Sequence, residues 1–110
     1  MSLSYRKILL EKIKQFINSN QNLDVFYEDY YLFFVNKVPD KALNEDEFLF
    51  FGMIQEKIDF TSENPGKEDR KYGYIDVKEY KIWLRKLLGK LEEFNYDFKL
   101  LMSWYNINRF

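Results

Sequence analysis

The residues with chemistry to offer are carboxylates. Between positions 56 and 76 the chain reads EKIDFTSENPGKEDRKYGYID, placing Glu56, Asp59, Glu63, Glu68, Asp69 and Asp76 in one stretch. Three kinds of chemistry use closely spaced acids. The first is general acid–base catalysis by a pair such as Glu56 and Asp59. It lacks support here: no nucleophile, phosphate cradle or cofactor motif accompanies the pair, and the chain has no histidine or cysteine. The second is a calcium loop, which needs D-x-[DN]-x-[DN]-G and a more distant glutamate. That pattern is not met, and Pro65 interrupts the acids. The third is electrostatic, in which acids held on one surface steer and bind a basic partner. The sequence points to the third, with no enzyme activity, cofactor or metal site expected. Tyr72 and Tyr74, and upstream Glu28 and Tyr31, complete the expected partner-binding set, because tyrosine offers a large contact area at low entropic cost.

Composition narrows the field further. Without cysteine and histidine there are no disulfides, no Cys/His zinc site and no imidazole proton shuttle. The N-terminal run MSLSYRKILLEKIKQF carries charges inside its apolar pattern, unlike a signal peptide or a membrane span, so a cytoplasmic address is expected. The net charge of −1 conceals blocks: residues 24–69 hold twelve acids and four basic residues, and residues 70–91 hold seven basic residues and two acids. The plain account of such blocks is that they pair across the fold and solvate its faces. Lys71, Lys78, Lys81, Arg85, Lys86 and Lys90 form a basic face that could suit nucleic acid. The acidic neighbouring segment argues against direct nucleic-acid binding, and a solvated helix face accounts for these residues.

The elements that must hold the acids are helices. A length of 110 residues fits one domain, 1–110, and four glycines and two prolines leave little room for many short strands. Ser4 can cap a helix over 4–19 with Ile8, Leu9, Ile13, Phe16 and Ile17 on one stripe. Asp24 is the expected cap of a second helix, 24–37, with Phe26, Tyr30, Phe33, Phe34 and Val38 inward, ended by Pro39. Asn44 opens a third, 45–60, whose first-turn acids Glu45, Asp46 and Glu47 suit the helix dipole. Phe48, Phe51, Ile54 and Ile58, with Leu49 and Phe50 beside them, form its expected broad apolar face, and Gly52 inside it marks a close helix crossing or merely a weak point. Glu56 and Asp59 lie at its C-terminal end, where acids are locally unfavourable. Asp76 and Glu79 make a capping box for a fourth helix, 77–93. The apolar heptad then continues through Phe94, Phe98, Leu101 and Tyr105. A rod from 77 to 105 would be about 40 Å long, so a break near 93–96 is expected, followed by a short helical extension over 96–106. The fold class is therefore all-α, an antiparallel four-helix bundle with a C-terminal helical extension. A homodimer through the C-terminal heptad, making the chain a helical adaptor, is the alternative use of that segment.

Taken in order, F-Y-E-x-Y, a Pro-Asp turn, N-E-D-E-F, I-x-E-K-I-D-F, an acidic loop with E-D-R, then Y-G-Y-I-D and W-L-x-x-L-L resembles the colicin D-type immunity proteins and the similar immunity proteins of contact-dependent growth inhibition systems. The resemblance covers residues 22–91 and leaves 1–21 and 92–110 outside. It implies a helical bundle that binds a cognate nuclease toxin, a tRNA-cleaving enzyme with a basic cleft, and presents acids where RNA phosphates would lie. Carried onto this chain, it points to Glu56, Asp59, Glu63, Glu68 and Asp69, with Asp76 a structural cap first and a contact second. The C-terminal extension departs from the compact four-helix outline.

Overall fold

The computed structural model describes residues 4–109; the first three residues and the last of the expected domain lie outside the described residues. Helix α1, Tyr5–Ile17, begins where the Ser4 hydroxyl oxygen accepts the Lys7 N–H at 3.3 Å. Helix α2 covers 23–36. Its cap is Asn22, whose side-chain oxygen accepts the Val25 N–H at 2.9 Å, and not Asp24 as expected. Asp24 sits inside the first turn instead, where its charge complements the positive helix end.

The middle of α2 is one π turn, Tyr27–Tyr31, flanked by α-helical Leu23–Phe26 and Leu32–Asn36. The Leu32 N–H reaches back to the Tyr27 carbonyl, five residues away. The wide turn aligns side chains four apart. Phe26 and Tyr30 stack with centroids 5.1 Å apart, and Tyr27 and Tyr31 stack at 4.5 Å.

Helix α3, Glu45–Ile58, starts with a complete capping box: Asn44 Oδ1 accepts the Glu47 N–H at 2.8 Å and Glu47 Oε1 accepts the Asn44 N–H at 2.9 Å. The connection that follows is more ordered than an open loop. It contains strand β1 (Thr61–Ser62), the short helix α4 (Lys67–Lys71) and strand β2 (Ile75–Asp76), with β1 and β2 paired in parallel, Thr61 opposite Ile75. Two-residue strands are too short to leave an alternating pattern in a sequence. Gly73 takes the left-handed φ of 90° that the turn between Tyr72 and Tyr74 needs.

Helix α5, Val77–Glu93, has the expected Asp76–Glu79 box, with bonds of 2.7 and 3.1 Å. The heptad does not continue as one rod. Asn95 and Tyr96 adopt φ of 53° and 61°, the chain reverses, and Asp97 caps α6, Phe98–Asn108. Phe98 and Leu101 are buried, with Phe98 against Phe50 at 5.1 Å and Phe51 at 5.8 Å. Thus α3 packs on the π turn of α2 and on α6, while α1 packs on α2 and α5. The extension is part of the body rather than an appendage to a four-helix core.

The core is aromatic. Phe16 and Phe26 stack at 4.1 Å, and Tyr80 tilts against both. The buried Tyr30 hydroxyl donates to the Phe51 carbonyl at 2.8 Å, and the Tyr80 hydroxyl to the Ile54 carbonyl at 2.9 Å. Burial pushes both phenol pKa values well above the usual tyrosine value, Tyr30 further through its neighbour Tyr80. The charge blocks do pair in part. Arg6 meets Glu47 at 3.2 Å and Lys12 meets Asp29 at 2.6 Å. From the basic face of α5, Lys81 donates to the Ser19 carbonyl at 3.1 Å and Arg85 to the Ile17 carbonyl at 3.0 Å. These cations satisfy the C-terminal end of α1.

Candidate protein-binding site

The acids converge on one end of the molecule because three elements meet there: the last turn of α3, the β1–α4–β2 connection, and the first turn of α5. Backbone bonds fix the connection. The Ile75 N–H donates to the Phe60 carbonyl at 2.9 Å, and the Thr61 hydroxyl donates to the Lys57 carbonyl at 2.8 Å. Phe60 and Tyr74 meet edge to face at 5.5 Å across the two strands.

Within this frame the expected site residues divide by task. Asp76 caps α5, and Asp69 Oδ2 accepts the Gly66 N–H at 2.9 Å. Arg70 bridges Asp76 at 3.6 Å and Glu79 at 2.9 Å, tying α4 to the start of α5. Glu68 pairs with Lys71 at 3.1 Å on the open surface. Tyr74 and Tyr31 are half-buried, packed against Phe60 and Tyr27 respectively. Glu56, Asp59, Glu63 and Glu28 are exposed and have no ion-pair partner among the described residues. Tyr72 projects with 74% of its surface open.

The acidic 24–69 segment does not make one surface. Glu45, Asp46 and Glu47 lie at the N-terminal end of α3, and Glu56 and Asp59 at the other, about 20 Å along the axis. Glu47 is nearly buried beneath Arg6. The acids at the Glu56 end are therefore those of the last turn of α3 and the connection, not Glu45, Asp46 and Glu47.

The outer face of α3 holds residues that the spacing argument placed inside. Phe48 and Leu49 are 58% and 48% exposed, while Glu47, Phe50, Phe51, Ile54 and Ile58 face the core. Four consecutive apolar residues, 48–51, sweep most of the way round a helix, so about half must point outward; that signal was present in the sequence. Beside them runs a groove of about 400 Å³ lined by Phe34, Phe48, Leu49, Gly52, Met53 and Met102, with Gln55 and Glu56 at its edge. Gly52 does not mark a tight crossing, since a Cβ there would sit 3.9 Å from Phe34 Cζ, an ordinary contact.

Among the described residues no group of acids is arranged to hold a metal ion, and no helix is long and apolar enough to cross a membrane. No protein-family model matches this chain, and neither a curated protein nor a solved structure matches it.

Proposed function

We propose that this chain is an immunity-type inhibitor, a protein that binds a cognate basic nuclease domain stoichiometrically and blocks its active site without catalysing a reaction. The observation that carries this reading is the set of unpaired, exposed carboxylates Glu56, Asp59 and Glu63 on the last turn of α3 and the connection that follows, a connection that also exposes the ring of Tyr72. Neighbouring acids of the same stretch are taken up by caps and ion pairs; these three do no such work. Unpaired acids accelerate encounter with a basic partner, and aromatic anchors slow its departure. The resemblance of residues 22–91 to colicin D-type immunity proteins supports the same partner class, a tRNA-cleaving toxin domain met in the cytoplasm. Inhibitors of this kind work near the ceiling of non-covalent affinity, on the order of 10⁻¹³ M.

The test is protection. A toxin domain encoded beside this gene is expressed with the wild-type chain or with the Asp59→Lys/Glu63→Lys variant, its fold checked by circular dichroism. The variant is expected to lose protection, and association with the toxin domain is expected to weaken steeply with salt. Full protection by the double variant refutes the site. Self-association through the C-terminal heptad has less support, because Phe98 and Leu101 are used inside the chain.

A further inference from the structure

The exposed face of α3 is more than the edge of an acidic end. Glu45, Phe48, Leu49, Gly52, Glu56 and Asp59 recur at three- and four-residue steps, so they share one side of the helix, opposite its core face. The centre of that side is apolar and open. Phe34 of α2 and Met102 of α6 form walls on either side, and Gly52 leaves a notch in the floor. Both ends of the stripe carry carboxylates, and Glu45, Glu56 and Asp59 have no ion-pair partner among the described residues.

We propose that this face is a helix-docking groove for a cationic amphipathic helix of the protein partner, laid along α3 with its apolar side on Phe48, Leu49 and the Gly52 notch and its basic residues against Glu45, Glu56 and Asp59. The assignment rests on the preceding reading of a basic protein partner and names where that partner is gripped. Charge selects the occupant: an apolar stripe with acids at both ends disfavours an acidic segment and favours one whose apolar face is flanked by lysine or arginine. Length agrees, because the stripe spans about 21 Å, the rise of about 14 helical residues. The apolar centre supplies what the acids cannot, since exposed charge pairs contribute little affinity of their own whereas buried apolar anchors dominate an interface.

The probe is a synthetic amphipathic peptide of about 15 residues, the length matched to the stripe, with leucines on one face and lysines on the other, alongside a scrambled peptide of the same composition. Binding to the full chain is followed by fluorescence anisotropy and by amide shifts of the labelled protein. The amphipathic peptide is expected to bind saturably and shift amides within 45–59 and at Met102. Leu49→Lys and Gly52→Arg are each expected to weaken it at least about tenfold, and Gly89→Arg, on the outer side of α5, to leave it unchanged. Equal binding of the scrambled peptide, with shifts confined to 63–72, overturns the groove while leaving the acidic-surface reading intact. No saturable binding by the amphipathic peptide also overturns the groove, and the toxin-protection assay then judges the parent reading separately. A concentration-dependent dimer that Leu49→Lys abolishes overturns the occupant, making it a second copy of this chain.

Discussion

Replacing Gly52 with alanine should stabilise the free protein. A glycine in a helix interior costs about 1 kcal/mol relative to alanine, through the backbone freedom it loses on folding. Two structural reasons for keeping a glycine are absent at this position. Its φ is not in the left-handed region, which among the glycines belongs to Gly73 alone. Nor is there a close approach, because the nearest atom to an added Cβ is the far end of the Phe34 ring at 3.9 Å. Gly52→Ala therefore gains the full propensity term with little steric offset, about 1 kcal/mol, or about 4–8 °C in melting temperature for a domain near this size. Gly89→Ala is the companion, since no heavy atom lies within 4 Å of its added Cβ. The two changes sit on different helices and should add within about 0.5 kcal/mol. Thermal melts and urea titrations read the effect, with a higher midpoint and an unchanged slope. If Gly52→Ala destabilises while Gly89→Ala stabilises, the α2–α3 crossing needs a bare backbone after all. The notch would then belong to the packing, and the docking groove would lose its floor.

Three further outcomes follow from the same geometry. Asp76→Ala removes the cap on the Glu79 N–H and one partner of Arg70; it should cost about 1 kcal/mol in urea unfolding, and an unchanged midpoint would mean the α5 start is held by the β1–β2 pairing alone. Tyr30 and Tyr80 keep their protons in the fold above the usual value of 10.0, so the folded state holds protons that the unfolded state has released. Their contribution is complete below pH 10.0 and declines as pH rises toward the folded values, by about 1.4 kcal/mol per pH unit for each ring; Tyr30→Phe/Tyr80→Phe should flatten the alkaline limb of the stability curve, and an unaltered limb would show that other groups govern it. Glu56→Lys and Asp59→Lys, at the negative end of α3, should each raise the stability of the free chain by about 0.3–1 kcal/mol at low salt, fading as salt is added, while weakening partner binding; a loss of stability would reveal a structural role for those carboxylates.

Helices and caps were legible in the sequence because they depend on near neighbours. Ser4, Asn44 and Asp76 act as caps through bonds spanning three residues, and the boundary of α5 at 77–93 follows from such local chemistry. The break after α5 was legible from length: a continuous rod would outrun the body, and Asn95 is a residue type that tolerates the left-handed turn found there. What was not legible depends on distant partners. The π turn in α2 is a matter of one shifted bond, invisible in a pattern of apolar spacing. Asn22 and Asp24 compete as caps with similar intrinsic preference, so the choice falls to the chain around them. The site was legible in its acids but not in its selection among them. Asp69, Asp76 and Glu68 resemble Glu56 and Asp59 in a sequence, and only their partners Gly66, Glu79, Arg70 and Lys71 show that they are already occupied.

The strongest pointer to function is a conflict that gathers on one face. Much of the chain agrees with itself, with caps at helix starts, acids in first turns, cations at the end of α1 and a stacked aromatic core, although Gly89 and the terminal acids Glu92 and Glu93 of α5 repeat two of the conflicts singly. Such agreement is what makes a sequence foldable, and departures from it mark functional or strained sites. The outer side of α3 departs three times. It exposes two large apolar side chains, carries an unneeded glycine, and sets two acids against the negative end of its own helix. The glycine and the acids together cost about 2 kcal/mol, a large share of the roughly 5–15 kcal/mol that holds a domain folded. Packing does not require them, because the face is open and the acids are unpaired. On α3 all three lie at helical spacing on one stripe. A partner helix resolves all three at once: it covers Phe48 and Leu49, fills the notch at Gly52, and brings positive charge to Glu56 and Asp59.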